Sequence, residues 1–304
     1  MSTRKMHDNE VEISIPMVRR LLAGQFPEWA GLPLEPVPSA GTDNALFRLG
    51  ADMAVRMPRI DWAIAQAEKE VRWLPQLAPH LPLPIPLPLA QGRPGEGYPW
   101  SWSVTQWLPG ETATRDRLAD PLQAARDLAA FVRALHSIDP TGGPEPGEIN
   151  VGRGVPLAKR DASTREALAA LRGKLDTDAA AEAWQMSLDA PVWQGPPVWI
   201  HGDLQSGNLL TVDGRLSAVI DFGCLGIGDP AVDMIIAWNF FDRAMREAYR
   251  AALDIDDATW LRGRGWALST SLIALPYYEH TNPYLTGISR YAIAEILAEV
   301  ERGE

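Results

Sequence analysis

The chain is 304 residues long, 46% hydrophobic and 22% charged. It can therefore bury a sizeable core, and its length points to two lobes rather than one. Its 28 basic and 39 acidic residues leave a formal charge of −11, which argues against nucleic acid as the main partner. No apolar run is long enough to span a bilayer, no basic leader precedes an apolar core, and the single cysteine, Cys224, cannot form an internal disulfide. A cytoplasmic protein without membrane association is the expectation.

In chain order, the first predicted helix covers residues 16–26: Pro16 suits its first position, and Val18, Leu21, Leu22 and Phe26 share one face. Residues 32–37 read as an edge strand because of their prolines. A loop of small residues, Ser39-Ala40-Gly41-Thr42-Asp43-Asn44, leads to strands at 45–49 and 53–57, joined by Gly50-Ala51-Asp52. The second strand carries Arg56, with Arg59 close behind. A helix over residues 61–77 follows, with Asp61 as its cap. Within it Glu70 precedes Trp73, Leu74 and Leu77 at +3, +4 and +7, so its carboxylate lies beside the buried stripe, and Glu68 and Lys69 fall to the solvated face. Residues 80–88 are a rigid, extended proline run. Residues 100–107 alternate as a strand, which Leu108-Pro109-Gly110-Glu111 breaks.

Residues 121–136 form an amphipathic helix on paper, with Ala125, Leu128, Ala129, Val132 and Leu135 on one face; His136 at its end is read as structural. A Pro/Gly-rich loop over 139–154 precedes helices near 163–173 and 178–188. The most informative stretch is 198–223, VWIHGDLQSGNLLTVDGRLSAVIDFG. Residues 209–212 and 216–220 are short strands around the hairpin signal Asp213-Gly214. That hairpin holds Asp203 and Asn208 just before its first strand and Asp221 just after its second. Phosphoryl transfer needs such a cluster: one carboxylate accepts the substrate hydroxyl proton, while an amide and a second carboxylate hold Mg²⁺ on nucleotide phosphates. Cys224, directly after this stretch, reads as a small buried residue. Asp229 caps a turn opened by Pro230, ahead of an apolar helix through 241. Closing helices at 260–278 and 282–301 bracket Tyr277-Tyr278-Glu279-His280.

His201-Gly202-Asp203-Leu204-Gln205-Ser206-Gly207-Asn208, followed by Asp221-Phe222-Gly223, keeps the register of the kinase signature His-Arg-Asp-Leu-x-x-x-Asn and Asp-Phe-Gly. With glycine in place of the arginine, the chain resembles the aminoglycoside phosphotransferases, which share a protein-kinase-like fold with choline kinases and other small-molecule kinases. The resemblance covers nearly the whole chain. It implies a bilobal α+β fold: a small N-lobe of antiparallel sheet plus helix over residues 1–107, and a larger, mainly helical C-lobe over 108–304. It makes Asp203 the catalytic residue and Asn208 and Asp221 the metal ligands. It places Ser39, Gly41 and Thr42 over the nucleotide phosphates, Arg56 (where most relatives carry lysine) on the α- and β-phosphates with Glu70 as its partner, and Gln106, Trp107 and Leu108 at the adenine hinge.

The cofactors it implies are ATP and Mg²⁺, and the hinge side chains do not separate ATP from GTP. Gly202 and the lack of an Ala-Pro-Glu after Asp-Phe-Gly favour a small-molecule kinase over a protein kinase. In antibiotic kinases the acceptor is held by variable C-lobe helices, so Asp161, Glu166, Asp189 and the 277–280 group become acceptor candidates, each against a reading as ordinary surface. The resemblance makes the turn and helix from Gly226 the anchor of the metal loop, so Asp229 and Asp233 are expected to be structural cap and hydrogen-bond residues rather than catalysts. The expected activity is phosphorylation of a small-molecule hydroxyl, foremost on an antibiotic such as an aminoglycoside or macrolide. A metabolite kinase acting on an amino alcohol or sugar, and a nucleotide-binding pseudokinase scaffold, are the alternatives. The acidic balance is compatible with a cationic acceptor, and either a monomer or a dimer is expected.

Overall fold

Period-two alternation early in the chain and 3.6-residue periodicity after it produce two different architectures. The computed structural model describes residues 10–37 and 43–303. The N-terminal part begins with α1 (Ile15–Gln25), whose N-cap Ser14 accepts from the Met17 amide at 3.4 Å, with Pro16 in its first turn. Next come β1 (Leu34–Pro36), β2 (Asn44–Leu49), β3 (Met53–Pro58), α2 (Trp62–Leu77), β4 (Pro88–Gly92) and β5 (Trp102–Gln106). The strands form one antiparallel sheet in the order β1-β2-β3-β5-β4. Val18, Leu21 and Leu22 of α1 close one face of it against Phe47, Val55 and Trp102. Gly92 is dictated by packing, since a Cβ there would sit 2.0 Å from the Trp102 ring.

The proline run is extended, as its sequence requires, and it bridges the two parts of the molecule. Pro84 O accepts from the Val219 amide at 3.0 Å, and Leu87 O accepts from the Gln106 amide at 2.7 Å.

The C-terminal part contains β6 (Glu111–Thr112), α3 (Pro121–Ser137), α4 (Asp161–Ala170), α5 (Thr177–Leu188), β7 (Val198–Ile200), β8 (Leu209–Val212), β9 (Arg215–Val219), β10 (Gly226–Gly228), α6 (Ile236–Asn239), α7 (Arg243–Leu253), α8 (Asp257–Tyr278) and α9 (Pro283–Glu301). Two small sheets, β7 with β10 and β6-β8-β9, carry the catalytic segment. Asp213 and Gly214 both take positive φ, 50° and 74°, the left-handed pair that a two-residue hairpin asks for. Helix α8 runs through the middle, buried on most sides and packed against α9, α5 and α4. Its Gly263 and Gly265 allow close packing: a Cβ at Gly263 would meet Met234 of the turn before α6 at 2.4 Å, and one at Gly265 would meet Leu157 at 2.5 Å and Ser187 of α5 at 2.7 Å.

The structure corrects the sequence reading in three places. The apolar segment after Pro230 is a 3-10 turn (Pro230–Ile235) followed by the short α6, not one continuous helix. Helix α7 was not foreseen because RAMREAYRAAL is dominated by charge; its signal was Met245, Tyr249 and Leu253 at i, i+4 and i+8 behind the Asp242 cap. β5 ends at Gln106, so Trp107 lies just outside the sheet.

Candidate active site

The loop after β7 is held by a carboxylate beneath it. Asp233 is fully buried and accepts from the Gly202 amide (2.7 Å), the His201 amide (3.1 Å) and His136 Nε2 (3.0 Å). This matches the structural role expected of both His136 and Asp233. His201 Nε2 donates to Ile220 O at 3.1 Å while its Nδ1 accepts from the Asp203 amide at 3.2 Å, which fixes the tautomer and ties the loop to β9's end. Gly202 is obligatory here: its φ is +80°, and a Cβ would meet Cys224 O at 2.8 Å.

The loop presents Asp203 with its side chain 28% exposed. Oδ2 accepts from Gln205 Nε2 (3.2 Å) and Asn208 Nδ2 (3.3 Å), and Oδ1 from Arg153 Nη2 (3.4 Å). Donors on both oxygens orient the carboxylate. Asn208 Nδ2 also donates to Asp203 O at 2.8 Å, and Asn208 O accepts from the Ile220 amide at 2.9 Å, so the residues before and after the hairpin are one hydrogen-bonded unit. Asp221 follows at φ 63°, a left-handed conformation that aspartate tolerates better than most residues, with its side chain 46% exposed.

From the N-terminal sheet, Arg56 Nη2 lies 3.5 Å from Asp221 Oδ1, and Arg56 Nη1 donates to Glu70 Oε2. The pairing of Arg56 with Glu70 rather than Glu68 is the one its helix face predicted. Asn44, with its amide oxygen turned to the guanidinium, accepts from Nη2 (3.1 Å) and Nε (3.3 Å). Burial works against the charge on Arg56, but Glu70 and Asp221 together outweigh it and hold Arg56 above the ordinary arginine range. Glu70 is raised, by burial first, with Arg56 opposing. Its Oε1 is buried without a partner among the described residues. Arg59, the alternative phosphate contact, turns instead to Glu10, 3.5 Å away.

The donor set suits a hard divalent cation. An exposed carboxylate and an amide oxygen next to a phosphate-binding cleft are what Mg²⁺ takes from protein, with phosphate and water completing its octahedron. Among the described residues no cluster of three or more His, Cys, Asp or Glu offers a closed metal cage instead.

With this geometry in view, the sequence matches the model of the phosphotransferase enzyme family (APH) over residues 35–266. The chain belongs to that family. Over 183 residues it is 28% identical to an aminoglycoside 3'-phosphotransferase of Escherichia coli, a match covering 52% of this chain and 60% of that protein, less than two thirds of its length. The fold is similar to the GDP complex of an aminoglycoside 2'-phosphotransferase (TM-score 0.74, 18% identity, 95% of this chain and 100% of that one). It is also similar to the apoenzyme of a macrolide 2'-phosphotransferase from Brachybacterium faecium (TM-score 0.56, 24% identity, 95% and 93%). The bilobal, protein-kinase-like α+β fold read from the sequence is therefore the fold of this family member.

Other expected site residues are placed less simply. Ser39, Gly41 and Thr42 lie outside the described residues. At the hinge, the Gln106 amide is bonded to Leu87 O and the Trp107 amide to Asp52 O (both 2.7 Å), while the Trp107 ring lies under Arg48. Leu108 alone of the three has an amide with no partner among the described residues. Asp161 is taken up by Arg165 and by Trp184 Nε1 (2.8 Å), Asp189 by Gln185, and Glu279 by Lys174 and Arg290. Glu166, Tyr277 and His280 are exposed.

Two basic residues that sequence reasoning missed lie at the site's heart. Arg153, in the Pro/Gly-rich loop, reaches Asp203. Lys69, expected in solvent, is only 4% exposed: Nζ donates to Gly223 O (2.7 Å) and Ile149 O (2.9 Å), pinning α2 to the turn that carries Asp221. Burial lowers Lys69 to about 8, against the opposing pull of Cys224 and Glu70. Burial likewise pushes the Cys224 thiol up to about 11, in keeping with the unreactive reading.

Between about 8 and the 10.5 of a free lysine, the folded chain binds fewer protons at Lys69 than the unfolded chain does, so stability at this site rises with pH. The metal-free protein should accordingly gain on the order of 1–2 kcal/mol over its Lys69→Met variant between about pH 7 and about pH 9.5. Denaturant titrations at the two pH values check this; a constant wild-type-minus-variant difference would show that Lys69 is not held as drawn.

Proposed function

We propose that the chain transfers the γ-phosphoryl group of a purine nucleoside triphosphate, ATP foremost, to a hydroxyl of a small molecule. The supporting observation is one continuous line of contacts, Glu70–Arg56–Asp221 and then Ile220–Asn208–Asp203, which joins the groups that phosphoryl transfer needs across the cleft between the two parts. Residues 1–107 would carry the nucleotide and 108–304 the acceptor. The Leu108 amide is the hinge donor for the base, and Arg56, oriented by Glu70 and Asn44, grips the α- and β-phosphates through its planar fork. Asp221 and the Asn208 amide oxygen would hold Mg²⁺, which when bound supplies neutralisation of the phosphate charge.

Asp203 receives the acceptor's hydroxyl proton. The acceptor oxygen forms its bond to the γ-phosphorus as the bond to the bridging oxygen breaks, and ADP leaves with that electron pair. Aminoglycosides and macrolides, the acceptors named for the relatives, are the first to test, with metabolic alcohols and sugars beside them. Mg²⁺-dependent ATP binding by calorimetry, followed by an ADP-release screen over that panel, tests the reading; a chain that binds no nucleotide ends it.

Removing the Arg56 clamp takes away charge-assisted bonds of about 1.5–3 kcal/mol, so Arg56→Ala should weaken ATP by roughly 10- to 150-fold and leave adenosine nearly unaffected. Arg56→Lys should recover only part, and the double variant with Glu70→Ala should be less than additive. Calorimetric affinities for wild type, Arg56→Ala, Arg56→Lys, Glu70→Ala and the double variant decide it: undiminished ATP binding in Arg56→Ala would move the phosphate contact elsewhere.

A further inference from the structure

The charge that lines the far side of Asp203 is positive. Arg153 is 9% exposed, its Nη1 donates to Thr270 Oγ1 at 3.1 Å, and its Nη2 points to Asp203. Its Nε is buried with no partner among the described residues. One helix position away, Ser269 accepts from Arg160 Nε at 2.9 Å. The two guanidiniums share the ring of Trp266, with their carbons 5.9 Å (Arg153) and 4.7 Å (Arg160) from its centroid. Consecutive residues of α8 thus hold two like charges beside one aromatic ring.

Arg160 has no carboxylate partner among the described residues, and Asp203 is the one ion-pair partner that Arg153 has. Burial, and then repulsion from Arg153, lower Arg160 to about 9. Burial opposes the charge on Arg153, but Asp203 is among the groups that hold it charged, so Arg160 is the cation left uncompensated. A desolvated guanidinium is costly unless an anion joins it, and its planar fork is the side chain best matched to carboxylate or phosphate. Meanwhile two of the acidic residues that a polycationic acceptor could use are engaged in structure: Asp161 holds Arg165 and Trp184, and Glu279 holds Lys174 and Arg290.

We propose that Arg153 and Arg160, seated on Trp266, form an anion subsite of the acceptor cleft, so that the hydroxyl phosphorylated at Asp203 belongs to a molecule bearing a carboxylate or phosphate group. This rests on the kinase reading above and narrows its acceptors to hydroxy acids and phosphorylated alcohols or sugars, away from polyamines.

The test has two arms. In the first, enzyme saturated with ADP, which fills the α- and β-phosphate sites and leaves only the γ-phosphate position open, is melted with and without inorganic phosphate and with and without gluconate. Both anions should raise the melting temperature of wild type. The shift should vanish in Arg160→Ala, return in part in Arg160→Lys, and persist in Arg165→Ala, an exposed basic residue of α4, the helix that begins just after Arg160. The lysine variant keeps a cation in place should the alanine variant not fold. In the second arm, ADP release is compared across matched acceptors: sugar acids and sugar phosphates, their uncharged parents, and aminoglycosides. The anionic members should be preferred, and Arg160→Ala should raise their KM by roughly 10- to 150-fold.

The inference is overturned if neither anion shifts wild type, or if the shift survives Arg160→Ala. It is equally overturned if Arg160→Ala raises the KM of ATP in place of the acceptor's, which would assign the arginines to the γ-phosphate, or if aminoglycosides are turned over with a KM indifferent to Arg160. A wild type that neither binds nor hydrolyses ATP would instead sink the kinase reading alone, while an Arg160-dependent anion shift would still report the subsite.

Discussion

Asp203→Asn should lower turnover by roughly 10²–10⁴-fold, the scale of a positioned general base, while ATP affinity stays near wild type. The expectation follows from what surrounds the carboxylate. Asp203 is anchored from below by His201 and Asp233 and oriented from the side by Asn208, Gln205 and Arg153, so an isosteric amide keeps the loop in place. What it loses is the capacity to take a proton from the acceptor hydroxyl. Calorimetry with ATP, paired with ADP release at saturating nucleotide, separates the two quantities. A variant that loses ATP binding but keeps its turnover per bound complex would remove Asp203 from the role.

The second large effect is expected at Asp221. Asp221→Ala should abolish the Mg²⁺ dependence of nucleotide binding, because its half-exposed carboxylate, 3.5 Å from Arg56, is the one assigned to the ion. Alanine also sits poorly at φ 63°, and that conformation alone costs on the order of 1–2 kcal/mol. Asp221→Asn is therefore the informative companion, since asparagine accepts the left-handed region while lacking the charge. Both variants should bind ATP equally with and without Mg²⁺; Asn208→Ala should show a weaker version. A wild-type Mg²⁺ response in Asp221→Asn would contradict the assignment.

What could be read from the sequence was what local rules control. The Asp213-Gly214 hairpin, the proline-opened helices and the placement of Glu70 beside Trp73, Leu74 and Leu77 each follow from turn chemistry or helical period, and each is found as expected. The residues that escaped act across long separations. Lys69 is charged and stands next to Glu68 on its helix, so the solvated face was the natural reading; only the docking of α2 on a turn 154 residues away buries it. Arg153 lies in a Pro/Gly-rich loop with no period to argue from, and its place beside Asp203 depends on how that loop packs against α8. The hinge shows a third kind of limit. Which of three consecutive amides is available depends on strand register, and register gave Gln106 and Trp107 to Leu87 and Asp52.

The central claim is that this cleft makes a phosphate ester, and phosphorus NMR of the reaction mixture tests that most directly. With Mg²⁺, ATP and a panel of hydroxyl compounds that includes sugar acids, sugar phosphates, aminoglycosides and macrolides, a new phosphomonoester resonance should appear. It should grow in step with ADP and be absent without Mg²⁺ or with Asp203→Asn. ADP and inorganic phosphate as the sole products from every mixture, or ATP left intact throughout, would contradict it.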